Sequence, residues 1–224
     1  MDDGKWERLG ILTGLLLAAI LALRIAITPT VPKDPTAWTP FFTDKQTLWL
    51  WTVWLTGAIV VVGTWFYGSV RSFLVRAEGG TGRLAVILYG AWLIQATLAA
   101  ARHALLAIPA LNPTLDPGIT GTLLASASMM LGMVWFTFLL QTVAMAVVGR
   151  RTRAVPMWYI AFTWLAGVSA LLGTFSIVDL SWHFSRAAKF RWVVLWTYVA
   201  WVAVTSVVCA IRSTEPETRS SNSA

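Results

Sequence analysis

The chain has 224 residues, of which 57% are apolar and only 12% charged. A soluble domain carries about 25% charged residues because water must solvate its surface, so most of this exterior is expected to face lipid, and a soluble enzyme or binding module is excluded. The net charge of +7 does not point to nucleic acid, because the arginines fall in short clusters between apolar runs and not along one basic face with an aromatic platform.

In chain order, six apolar runs are long enough to cross a hydrocarbon core of about 30 Å, which takes about 20 helical residues. They are Leu9–Ile27, Leu48–Val70, Leu84–Leu106, Ile119–Val148, Met157–Val178 and Val193–Ile211. Lipid offers backbone amides no partners and nothing alternates as barrel strands do, so the expected fold is all-α. It is a polytopic helical bundle in one transmembrane domain spanning 1–224, with a disordered tail at 213–224.

The first run follows Lys5 and Arg8, as in a signal peptide. Its apolar core exceeds the usual length of about 7–15 residues and ends in Thr28-Pro-Thr-Val-Pro-Lys33, so an uncleaved span is expected. On the second run, Trp49 and Trp51 at one end and Trp65 near the other suit headgroup level, where indole is half apolar and its N–H stays wet. Ser72–Arg76 follows this run. The glycines of Ala77-Glu-Gly-Gly-Thr-Gly-Arg83 lack the strand that a phosphate cradle requires, and read as a turn.

Ala96, Ala99, Ala100 and Ala104 on the third run, like Gly167, Ala170 and Gly173 on the fifth, permit close helix approach. Asn112-Pro-Thr114 is no glycosylation acceptor, since proline fills its middle position. Asp116-Pro117-Gly118 supplies an N-cap and a first-turn proline for the fourth run, which is long enough to tilt or project. Met129, Met130 and Met133 are assigned to packing, as are the deeper Trp92, Trp135, Trp164, Trp196 and Trp201. Cys209 stands alone, so no intramolecular disulfide exists.

Between the last two runs, Asp179–Trp192 places Leu180, Phe184, Ala187 and Ala188 on one helical face. Asp179, His183, Arg186 and Lys189 lie opposite, as in a short helix lying in the interface. One set of loops and ends carries Lys5, Arg8, Arg71, Arg76, Arg83, Arg150, Arg151, Arg153, Arg212 and Arg219; the other carries Lys33, Lys45, Arg186, Lys189 and Arg191. The excess predicts both termini in the cytoplasm and the protein in the cytoplasmic membrane. The two halves share no broken-helix pair or other repeat of the kind that marks duplicated transporters.

Candidate site residues gather at one depth. Arg24 lies near the outer end of the first run, and Arg102 and His103 near that of the third. Gln95 sits about two turns below Arg102 on nearly the same face; Asp179 closes the fifth run and His183 follows it. The pattern predicts an outward-facing polar site floored by Arg102 and His103, in which Arg102 pairs with Asp179. No Ser-His-Asp set, paired carboxylates or His-rich metal cluster is visible.

The stretch Ser72-Phe-Leu-Val-Arg76, the loop Ala77–Leu84, the alanine-rich third run and the closing Val202-Ala-Val-Thr-Ser-Val-Val208 resemble a family of six-span bacterial membrane proteins of unassigned activity. The resemblance implies a membrane location and transfers no site residues. The functional expectation is a bundle that binds a small or lipid-like ligand from the outer face, or assists a membrane complex as a homo- or hetero-oligomer. One alternative is a membrane enzyme acting on a lipid or isoprenoid, with His103 or His183 as acid–base group. Another is a haem protein using those histidines as axial ligands; otherwise no cofactor or metal is expected.

Overall fold

Inside a bilayer each backbone N–H and C=O must be satisfied within the segment, and helices meet that demand in each spanning segment of the described residues. The computed structural model describes residues 3–80, 82–175 and 188–213. Seven α-helices are found there: α1 Asp3–Ile27, α2 Trp38–Asp44, α3 Gln46–Ala77, α4 Arg83–Leu111, α5 Pro117–Thr152, α6 Met157–Thr174 and α7 Ala188–Arg212. All except α2 are long and apolar enough to span a membrane. The chain is an all-α polytopic helical bundle.

The spanning helices follow one another around a closed ring. Each packs on its neighbour in the sequence, α1 on α3 and onward to α7, and α7 returns to pack on α1. Short connections of about 2–8 residues favour antiparallel neighbours, and residues 78–82, 112–116 and 153–156 supply three of them. At 36 residues α5 is about 54 Å long at 1.5 Å per residue, well beyond the hydrocarbon thickness, so it tilts or projects.

Several boundaries differ from expectation. Ser72–Arg76 forms the last turns of α3, with Phe73 and Leu74 buried. The glycine turn follows as expected, with Gly79, Gly80 and Gly82 at φ +72°, +99° and +56°, a region that side-chain-bearing residues avoid. Its Glu78 carboxylate accepts from the free Leu84 and Ala85 amides at 3.2 and 3.3 Å, capping α4. Asp116 caps α5 as expected, accepting from Gly118 at 2.7 Å. α6 ends at Thr174. α7 begins at Ala188, so residues 188–192 continue into the last spanning helix and do not belong to a separate interfacial one. The rest of that expected helix, 179–187, lies outside the described residues.

One element was missed. Residues 35–44 form a 3-10 turn and α2, a segment too short for apolar periodicity to register. The Asp34 carboxylate accepts from the Thr36 amide at 2.9 Å, which holds its pKa below the usual range. The Trp38 indole donates to the Pro32 carbonyl. Phe42 is buried with Trp49, Leu106 and Leu124 in a small apolar cluster at one end of the ring.

Small residues set the close contacts, though not all of those expected. A Cβ on Gly167 would meet Thr142 at 2.8 Å and one on Gly173 the Trp135 ring at 2.8 Å, so α5 and α6 approach as their glycines imply. On α4 the packed alanines include Ala91, Ala96, Ala107 and Ala110, whereas Ala100 and Ala104 are exposed. Gly10 and Gly14, four residues apart, bring α1 against Ser69 and Phe66 of α3.

The outer surface is apolar, as lipid requires. Leu16, Trp54, Val61, Trp65 and Leu165 all face outward, and so, against the expectation of packing, do Trp164, Trp196, Met129 and Met133. Inside, aromatic rings fill the ring of helices over part of its depth. Tyr67 and Trp92 stack at 4.5 Å and Phe138 meets Tyr198 and Trp201 edge-on. Their polar atoms are matched: Tyr67 to Tyr198 at 3.2 Å, Trp92 to Thr64 at 3.3 Å and Trp201 to Thr163 at 3.3 Å. Over the remaining depth the centre stays open.

Candidate functional site

A ring of six helices has a central space too wide for two facing rows of side chains to close, unless rings as large as Trp and Tyr fill it. Where that filling stops, a cavity begins. Every spanning helix except α6 contributes to its lining. It runs from residues 28–31, just past the end of α1, down to Gln95, Trp92 and Tyr198, and its empty space, open mouth included, is about 1300 Å³.

Three expected residues meet in it. His103 is 3% exposed, and its Nδ1–H donates to the Ala99 carbonyl at 2.7 Å. That leaves Nε2 as an acceptor, facing Arg24 Nη1 and Arg102 Nη1, each at 3.2 Å. A guanidinium can only donate, so this pattern requires a neutral imidazole whose single lone pair serves two cations. α1 brings Arg24 in its last turn. Arg102 and His103 are adjacent on α4 and reach the same point because the long arginine side chain bends around the helix. His103, flanked by both arginines, therefore stands on the wall of the cavity and not at its floor, which lies about two turns deeper at Gln95, Trp92 and Tyr198. Arg24 is a full member, tying α1 to α4.

Gln95, two turns below on α4, is also buried and lines the cavity. Its Oε1 accepts from Gln141 Nε2 of α5 at 2.5 Å. Asp179 and His183 lie outside the described residues, and with them the expected pairing of Arg102 with Asp179. Among the described residues the ion pairs are Lys45–Asp44 and Arg76–Glu7, so no described carboxylate reaches Arg24. The Arg76–Glu7 pair joins α3 to α1 at the opposite end of the bundle.

Two participants escaped the sequence. Gln141 is the lone amide side chain of its span, which is a signal in itself, since polar groups at membrane depth face the interior. Trp49 was placed at the wet headgroup level. It is instead 2% exposed, lines the cavity, and its indole N–H has no hydrogen-bond partner. The Arg24 Nε–H is in the same position, buried and unmatched. Buried donors are matched in the great majority of cases, so each exception needs a reason.

No family model, curated protein or solved structure matches the chain. The cavity itself is what bears on function.

Proposed function

We propose that the protein binds a small or lipid-like ligand in this cavity. It would enter from the face carrying residues 28–45, which the arginine distribution assigns to the outer side of a bacterial cytoplasmic membrane. The observation that carries the reading is the combination of an open, mostly apolar cavity with a few converging polar groups, the usual composition of a ligand site.

Binding is favoured over acid–base catalysis because both His103 ring nitrogens are engaged, one by Ala99 and one by the arginines. The same engagement weighs against haem, whose iron would need the Nε2 lone pair. The test is native mass spectrometry of protein purified in a neutral detergent, alongside Ala99→Phe and Ser128→Phe, two substitutions on the neighbouring walls formed by α4 and α5. A bound species on the native chain that both variants lose, with their helicity intact, supports the reading. A native chain with no adduct, and variants of unchanged thermal stability, would refute it.

A further inference from the structure

Resting on that reading, we infer that the ligand is an amphiphile with an oxyanion headgroup, carboxylate or phosphate, seated against Arg24 and the Trp49 indole N–H with its apolar chain along α5. Two residues that line the cavity, Arg24 and Trp49, carry buried N–H groups with no partner. Arg24 presents a fork of N–H groups, of which Nη1 is used on His103 while the buried Nε–H has no partner. Trp49 adds a second buried, unmatched N–H.

Several of the acceptors that line the same space are already engaged. His103 Nε2 accepts from the two arginines, Gln95 Oε1 from Gln141, and the Tyr198 hydroxyl is joined to that of Tyr67. What enters must bring acceptors. It should also bring negative charge, because no described carboxylate lies within ion-pair distance of Arg24 and a cation at membrane depth is costly without one. Charge-assisted bonds from guanidinium to carboxylate or phosphate are the strong kind.

The rest of the wall calls for hydrocarbon. Leu124, Leu131, Val134 and Trp135 of α5 face Leu21 of α1 and Ile59 of α3 across the cavity, and a free inorganic anion would leave that surface uncovered. An amphiphile matches both ends.

The experiment uses the full chain in dodecyl maltoside with matched probes: oleate against methyl oleate, phosphatidic acid against diacylglycerol, and inorganic phosphate alone. Binding is followed by native mass spectrometry and by the shift in melting temperature. One or both anionic amphiphiles should bind at least tenfold tighter than their uncharged partners. Which of them does so tells a carboxylate from a phosphate headgroup. Arg24→Gln and Trp49→Phe should each weaken that binding about tenfold, the equivalent of about 1.4 kcal/mol. Trp49→Phe keeps the ring and serves if Arg24→Gln does not fold.

Equal binding of methyl oleate or diacylglycerol, blocked by Ala99→Phe, would overturn the oxyanion headgroup and leave the lipid-binding reading standing. Inorganic phosphate binding as tightly as phosphatidic acid would overturn the apolar chain. Binding of no probe, with Ala99→Phe as stable as the native chain, would end both, the cavity then holding only water.

Discussion

At the residue scale the site is organised by one imidazole lone pair. Arg24 and His103 are 79 positions apart, so their contact links α1 to α4 through a single bond of 3.2 Å. Removing His103 leaves two guanidiniums facing each other without their shared acceptor. Arg24→Ala and His103→Ala should therefore be non-additive, with a coupling of about 0.5–3 kcal/mol in a double-mutant cycle read by thermal unfolding in detergent. Strict additivity would mean that the arginine merely extends toward the interface, as long cationic side chains do. The glutamine pair should behave differently. Interhelical hydrogen bonds in membranes are worth about 0.6 kcal/mol on average, and Gln141 Oε1 is itself buried and unmatched. Replacing both glutamines with leucine should cost less than Gln95→Leu alone, which strands the Gln141 amide. A double variant less stable than that single one would show that the pair contributes more than its bond.

Between elements, glycines decide how closely helices approach, and their surroundings are unequal. A Cβ on Gly63 would meet the Trp92 ring at 2.2 Å, and that ring is held by stacking on Tyr67. Gly63→Ala should destabilise the bundle by about 1–3 kcal/mol, the usual cost of overpacking, and should disturb the aromatic fill on which the cavity floor rests. Gly57 lies six residues earlier on the same helix with nothing within 4 Å of the added atom. There alanine should stabilise α3 slightly, by up to about 1 kcal/mol of helix propensity. Chemical unfolding of both variants separates the two effects, and equal losses would place the α3–α4 contact elsewhere. Tryptophans divide in the same way. Trp49 and Trp51 lie two positions apart on α3, yet one is 2% exposed and the other 53%, because two helical steps of about 100° each turn them to opposite faces.

For the whole molecule, the closed ring makes orientation a single binary choice. Sequential antiparallel packing fixes which loops share a side, so labelling one loop from each end determines the rest. In a Cys209→Ala background, Thr114→Cys should react with an impermeant thiol reagent in intact cells. Arg151→Cys should react only after lysis. The reverse pattern would put both termini outside and would turn the cavity mouth toward the cytoplasm. Both positions are exposed, so failure to label reports sidedness and not burial. The ring also explains why one half of the centre can stay open. Tyr67, Trp92, Phe138 and Trp201 pack its other half with matched polar atoms, which gives the bundle a rigid floor beneath His103 and Gln95.

Hydropathy alone determined the six spans, because a segment either has about 20 apolar residues or cannot cross the core. It also placed Arg24, Arg102 and His103 at comparable depth, with Gln95 about two turns below, since rise per residue converts position into height. The Asp116 cap and the glycine turn were legible for the same local reason: each depends on residues within a few positions of one another. The facing of each residue was not. Whether Trp49 meets lipid or the cavity, whether Met129 and Trp164 pack inward, and whether Gln141 finds Gln95 depends on how each helix is rotated about its axis. In a membrane that rotation is weakly written, because lipid-facing and buried positions are equally apolar. Only the packing of α1, α3, α4 and α5 around one centre decided it, through glycine contacts, ring stacking and the few polar groups that could be satisfied nowhere else.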